Sequence, residues 1–258
     1  MPDDVPIPNE LTRILADTPA LAQAYLVGGS VRDALIGLEV KDYDVECFGV
    51  SYDGLANGLA RWGRTDLVGK SFGVIKLTTR SGVEYDFAIP RRDSKSGIGH
   101  KGFAVEFDPD ITPAEAAARR DFTINTLMFD PRKKCILDHF GGRADLENRI
   151  LRHTGDAFAE DPLRVLRGMQ LAARFGLTPD PQTVELCRSI RETFSELPPD
   201  RVREEWFKWA AKSRRPSLGI TFLEAAGWLE HFPEIAALRQ TPQDPEWHPE
   251  GDVLTHTC

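Results

Sequence analysis

The chain has 258 residues, of which 41% are hydrophobic and 28% charged, and its formal net charge is −8. That is the composition of a globular protein, long enough for one large domain or two modest ones. The charge excludes a non-specific coat for nucleic acid, which needs a broad basic surface, but not a local basic groove. The first segment, MPDDVPIPNE, has no apolar stretch behind it and so is not a signal peptide. Residues 9–17, NELTRILAD, read as a short helix with Asn9 as its cap. AYLVGG reads as a strand that ends in glycines, and SVRDALIG as a helix capped by Ser30 and stopping near Gly37. KDYDVECFGV alternates polar and apolar residues, as a half-buried strand does. YDGLANGLARWG reads as a helix, and SFGVIKLTTRSGVEYDFAIPR as two strands joined at Arg80-Ser81-Gly82.

RRDSKSGIGHKGFAVEFDPD reads as a loop rich in glycine and charge. Its glycines at 97, 99 and 102 and its cations at 91, 92, 95 and 101 suit either a mobile cover over a site or a plain surface loop. Helical patterning begins near Thr112, with CILDHFGG as a strand and turn, and dominates from His153 to about Leu238. The predicted organisation is a head over residues 1–150, a helical part over 151–240, and a polar, proline-containing end over 241–258 that reads as cut short. The cysteines Cys47, Cys135, Cys187 and Cys258 have neither metal-ligand spacing nor a disulfide framework, which fits a reducing, cytoplasmic setting. No apolar run is long enough to span a membrane.

GGSVRDALIGLEVKDYDVE, from Gly28 to Glu46, carries the first chemistry. On a strand, Asp42 and Asp44 would point to one face, roughly 6.5 Å apart along the backbone. Two carboxylates so close repel unless a cation lies between them, and Mg²⁺ takes oxygen ligands from one or two carboxylates plus substrate phosphates. Gly28 and Gly29 let the backbone approach a ligand, the following helix start favours an anion, and Arg32 adds a fixed positive charge. Singly, a glycine pair is an ordinary turn and D-x-D two solvated carboxylates. Their order and close spacing together point to metal-assisted nucleotidyl transfer. Asp86 is the preferred third carboxylate, with Glu84 as the alternative and a plain surface strand as the bland reading.

LVGGSVRDALIGLEVKDYDVE, ARRDFTINTLMFD, ILDHFGGRADLENRILRH and EDPLRVLRGMQLAARF resemble, in order, motifs of the class II tRNA nucleotidyltransferases, the CCA-adding enzymes, and the related bacterial poly(A) polymerases. The resemblance runs from about Tyr25 to Phe175. It implies an α+β fold: a DNA polymerase beta-like head with a small mixed sheet and flanking helices, then an all-helical neck and body. It implies that Asp42 and Asp44 bind the catalytic metals and that Gly29, Arg32, Arg120 and Arg167 contact the nucleoside triphosphate. Asn125 belongs to the same motif as Arg120, either touching ligand or holding a turn.

The resemblance gives Asp161 and Arg164 the reading of the base. Three residues apart, they can share a helix face, with Pro162 near the helix start. An ionised Asp only accepts hydrogen bonds and an Arg only donates them. Cytosine and adenine each offer an amino donor beside a ring-nitrogen acceptor, whereas uracil and guanine present a carbonyl where the Asp would face it. Gln170 stands where the family often has another arginine. A solvated basic helix face is the bland reading of Arg164, Arg167 and Arg174. The implied activity is template-independent addition of CMP, AMP or both, from CTP and ATP, to the 3′ end of tRNA with Mg²⁺. The alternatives are poly(A) addition to RNA and an inactive RNA-binding relative. HPEGDVLTHTC resembles the opening of an HD phosphohydrolase domain with His256 as its first ligand, but no His-Asp dipeptide follows, so no such activity is expected.

Overall fold

A computed structural model describes residues 5–66, 73–95, 103–108, 110–239, 241–249 and 251–257, with backbone alone for 91–95, 103–107, 255 and 257. The chain divides into two compact units, Met1–Glu147 and Asn148–Cys258. The glycines and Lys101 of the expected cover, over 96–102, lie outside the described residues.

The first unit is organised by a seven-stranded sheet in the order β3-β4-β5-β2-β1-β8-β9. The strands are β1 (Gln23–Val27), β2 (Asp44–Phe48), β3 (Gly63–Asp66), β4 (Val74–Thr79), β5 (Glu84–Ala88), β8 (Met128–Asp130) and β9 (Cys135–Leu137). β2 and β5 run parallel, and the other described neighbours in this sheet are antiparallel. Alternation assigns the two faces. Val45, Cys47, Ile75, Leu77, Tyr85 and Phe87 turn inward and are buried. Asp44, Glu46, Lys76 and Asp86 take the opposite face, which becomes apolar at Phe48, packed with Val27, Ile111, Ala116 and Met128.

Three local readings are corrected. The helix α1 (Asn9–Asp17) starts after Pro8, so Asn9 is its first residue and not its cap. The helix α2 (Gly29–Leu35) starts one residue before Ser30, whose Oγ donates to the Val27 carbonyl at 2.9 Å and so caps nothing. The segment read as a loop from Arg91 contains β6 (Arg91–Lys95) and β7 (Phe103–Phe107), an antiparallel pair. Further along, α3 (Tyr52–Leu59) is capped by Ser51, which accepts from the Gly54 amide. Thr112 and Glu115 close a capping box on α4 (Pro113–Ala118), a device worth about 1 kcal/mol. The head ends in α5 (Gly142–Glu147), where the buried Asp145 accepts from Thr123 Oγ1 at 2.7 Å.

The second unit is mostly helical. It comprises α6 (Leu163–Phe175), α7 (Pro181–Ser189), α8 (Pro199–Lys212), α9 (Pro216–Ala225), the short α10 (Pro233–Ala236) and α11 (Val253–Thr257). Two short parallel strands, β10 (Ile150–Leu151) and β11 (Thr178–Pro179), interrupt the expected run of helices. α6 packs against α8 and α9. A side chain at Gly219 of α9 would meet the Met169 carbonyl at 2.8 Å and Trp209 Nε1 at 2.7 Å, so only glycine lets these helices close up. Trp228 is fully buried, and its Nε1 donates to the carbonyl of Cys187, itself buried. Among the described residues no helix is long and apolar enough to cross a membrane.

Candidate active site

The polar face of the head sheet gathers the predicted carboxylates by backbone register. Asp44 stands opposite Asp86 across the parallel β2–β5 pair. Asp42, expected on the strand, lies two residues before β2 begins. The partner strand explains why: β1 pairs back to Leu26 opposite Val45, and Gly28, at φ +66°, then turns the chain into α2. No β1 residue is left to extend the ladder past Asp44. Glu84, the alternative third carboxylate, is two residues from Asp86 and pairs with Thr78 instead.

The electrostatics of this cluster are those of crowded anions. Desolvation pushes the Asp44 carboxyl above the usual carboxylate range, the Asp86 charge adds to the shift, and Arg120 opposes it. Asp86 Oδ1 is shut from solvent with no hydrogen-bond partner, while Lys76 Nζ lies 3.9 Å away. A buried carboxylate oxygen without a donor, opposite the exposed carboxylate of Asp44, suits a hard divalent cation. Asp42, Asp44 and Asp86 are the residues that could hold one. They do not form a ready-made shell, since among the described residues no three His, Cys, Asp or Glu groups are close enough together to hold a metal.

The cationic side of the site is braced from within. Arg32, 5% exposed, donates from Nε and Nη2 to Asp33 Oδ1 at 2.8 and 2.6 Å, and from Nη1 to Asn125 Oδ1 at 2.5 Å. Asn125 donates in turn to Asp121 Oδ1 at 2.9 Å, and Asp121 also accepts from the Phe122 amide. Asn125 thus holds both a turn and Arg32. Arg120 Nη2 pairs with Glu46 Oε2 at 3.1 Å, and its Nη1 donates to the Asn125 carbonyl at 3.3 Å. A Cβ at Gly28 would stand 2.8 Å from Arg120 Nη1, so the bare glycine makes room for that guanidinium. Gly29 is the first residue of α2, with Arg32 Nη2 3.4 Å from where its Cβ would be. Sequence reasoning missed Glu46, although the alternation that aligned Asp42 with Asp44 extends to it. It also missed Asp121, whose role depends on a fold-back that no spacing rule announces.

In the second unit, the predicted base-reading residues stand at the head of α6. Asp161 Oδ1 accepts from the Leu163 amide at 3.1 Å, and Oδ2 faces Arg201 Nη2 of α8 at 3.5 Å. Arg164 Nη1 donates to the Ala157 carbonyl at 2.7 Å, and its amide to the Asp161 carbonyl at 3.0 Å. Both groups are therefore fixed by their own unit. Arg167 is exposed one turn on, Gln170 is buried, and the Arg174 guanidinium lies 4.6 Å from the Phe175 ring centre. Arg201 had no signal in the sequence, being forty residues from the aspartate it faces. His256 lies in α11 with its ring centre 4.6 Å from that of His248.

Residues 24–152 match the family model of the poly A polymerase head domain. The chain is 41% identical over 242 residues to a multifunctional CCA protein of Vibrio parahaemolyticus, covering 91% of this chain and 57% of that protein. A multifunctional CCA protein of Aromatoleum aromaticum is 40% identical over 237 residues, covering 91% and 56%. The chain thus spans little more than half the length of these curated relatives. Among solved structures, the Bacillus stearothermophilus CCA-adding enzyme in complex with CTP superposes with a TM-score of 0.71 at 25% identity, over 86% of this chain and 53% of that one. The fold is shared as well with the Thermotoga maritima CCA-adding enzyme complexed with tRNA, at a TM-score of 0.71 and 22% identity, over 97% and 60%.

Proposed function

Because the chain belongs to the class II family of CCA-adding enzymes and bacterial poly(A) polymerases, we propose that it is a template-independent RNA nucleotidyltransferase that adds CMP, AMP or both to the 3′ end of tRNA. CTP and ATP are its small substrates, and the cytoplasm is its setting. The observation that carries the reading is the register of Asp44 against Asp86, with Asp42 two residues before the strand and Arg120 held beside Gly28.

The family is a metal-dependent enzyme class, and Mg²⁺ fits the all-oxygen donor set of Asp42, Asp44 and Asp86. When bound, Mg²⁺ lowers the pKa of the attacking 3′-hydroxyl and offsets charge on the leaving pyrophosphate. Asp44 and Asp86 stand opposite each other across the β2–β5 pair and would hold the ion there. Arg32 and Arg120 supply positive charge for the triphosphate, and their bonds to Asp33, Asn125 and Glu46 hold the guanidinium groups in place. In the second unit, Asp161 accepts from the amino group of cytosine or adenine, while Arg164 donates to the adjacent ring nitrogen. Uracil and guanine place a carbonyl against Asp161 and leave both partners unsatisfied, which is a strong basis for rejection.

The test offers the protein Mg²⁺, each labelled nucleotide in turn, and tRNAs that end before, within or after CCA. Addition of a defined short sequence is expected. Long A tracts would make the protein a poly(A) polymerase, and no incorporation would overturn the reading.

A further inference from the structure

The carboxylate face of the head holds a cation of its own. Backbone register sets Asp66 of β3 opposite Lys76 of β4, Lys76 opposite Asp86 of β5, and Asp86 opposite Asp44 of β2. Directly opposed residues project from the same sheet face, so the four form one row across it. Lys76 Nζ lies 3.3 Å from Glu84 Oε2 and 3.9 Å from Asp86 Oδ1. Solvent screens this pair, since the lysine side chain is 46% exposed, and such pairs add little to stability. The field they make is another matter. A tethered positive charge beside Asp86 repels any divalent cation that approaches Asp86 and Asp44.

We propose that Lys76 is a positioning residue, the resident counter-cation of the carboxylate row, which keeps its divalent-ion affinity low until a nucleoside triphosphate arrives. A triphosphate brings negative charge and oxygen ligands of its own. It outweighs the lysine, so metal and nucleotide load together. The inference rests on the reading of Asp42, Asp44 and Asp86 as metal carboxylates.

Mn²⁺ serves as the probe, with free ion measured by electron paramagnetic resonance on the full chain without RNA. Lys76→Met is expected to tighten Mn²⁺ binding about three- to tenfold in the absence of nucleotide. Lys76→Arg keeps the charge and should leave the wild-type value, and saturating CTP should shrink the gap between wild type and Lys76→Met. Asp44→Asn is the control for the underlying reading. If Asp44→Asn binds Mn²⁺ as wild type does, the assignment of the metal carboxylates fails. If Asp44→Asn loses Mn²⁺ while Lys76→Met binds no more tightly than wild type, only the role of Lys76 is overturned.

Discussion

The carboxylate row of the head and the Asp161–Arg164 turn of the second unit are both made of charged groups, yet the protein satisfies them differently. In the row, Asp86 keeps a buried oxygen with no donor, and Asp44, though exposed, stands among like charges. At the turn, Asp161 and Arg164 already bond to backbone on their own unit. A group meant for a mobile cation gains from being left underpaired, because the ion then supplies what the fold withholds. Groups meant to discriminate between bases gain from being immobile, because a side chain free to rotate would adapt to the wrong base.

Substitutions test that contrast. Asp44→Ala removes one member of the row and should cut nucleotide incorporation by at least ~10³-fold with the circular dichroism spectrum unchanged. Retained activity would place the chemistry elsewhere. Asp161→Ala should do something else: addition continues, but the preference for CTP and ATP over UTP and GTP falls roughly 10²-fold in kcat/KM. Unchanged selectivity would remove Asp161 from base choice.

Gly28→Ala acts on the braces of the head. It forces a side chain onto a φ of +66° and into Arg120, and should cost about 1–2 kcal/mol of stability. In addition, KM for CTP should rise roughly tenfold through the displaced guanidinium. A stability loss with KM unchanged would show that Arg120 does not meet the nucleotide.

The smallest effect lies in the second unit. Burial lowers the His153 pKa below its ordinary 6.5, and its Nδ1 pairs with the buried Thr183 hydroxyl at 2.8 Å. Between the folded and unfolded pKa values the unfolded chain binds more protons, so stability rises with pH across that window. The contribution is fully present above about 6.5 and is lost as pH falls through the folded value. Urea titrations from pH 7.5 down to 5 should follow this slope, and His153→Gln should flatten it.

The residue types of the candidate site were more legible in the sequence than its architecture. Periodicity located β2, β4 and β5 because each has one polar and one buried face. It could not fix where β2 starts, since that depends on Gly28 ending β1 on the neighbouring strand. The β6–β7 pair was hidden because a polar, charged stretch gives no local signal of pairing between residues that are apart in the chain. Ser30 looked like a cap because cap preference is local, whereas the left-handed turn at Gly28 sets the helix start one residue earlier. Lys76 and Arg201 were illegible for the same reason as the row itself: each meets its aspartate only through strand or helix placement.

Among the described residues, two buried thiols have a practical consequence. Cys47 lies on β2 behind Asp44, fully buried, and Cys187 is buried in the second unit, with its pKa pushed up to about 12. Neither can react with a thiol reagent while its surroundings stay closed. The rate at which each is alkylated therefore clocks the opening of its own unit. One labelling experiment on the native chain can report whether β2 and the helical unit breathe together or apart.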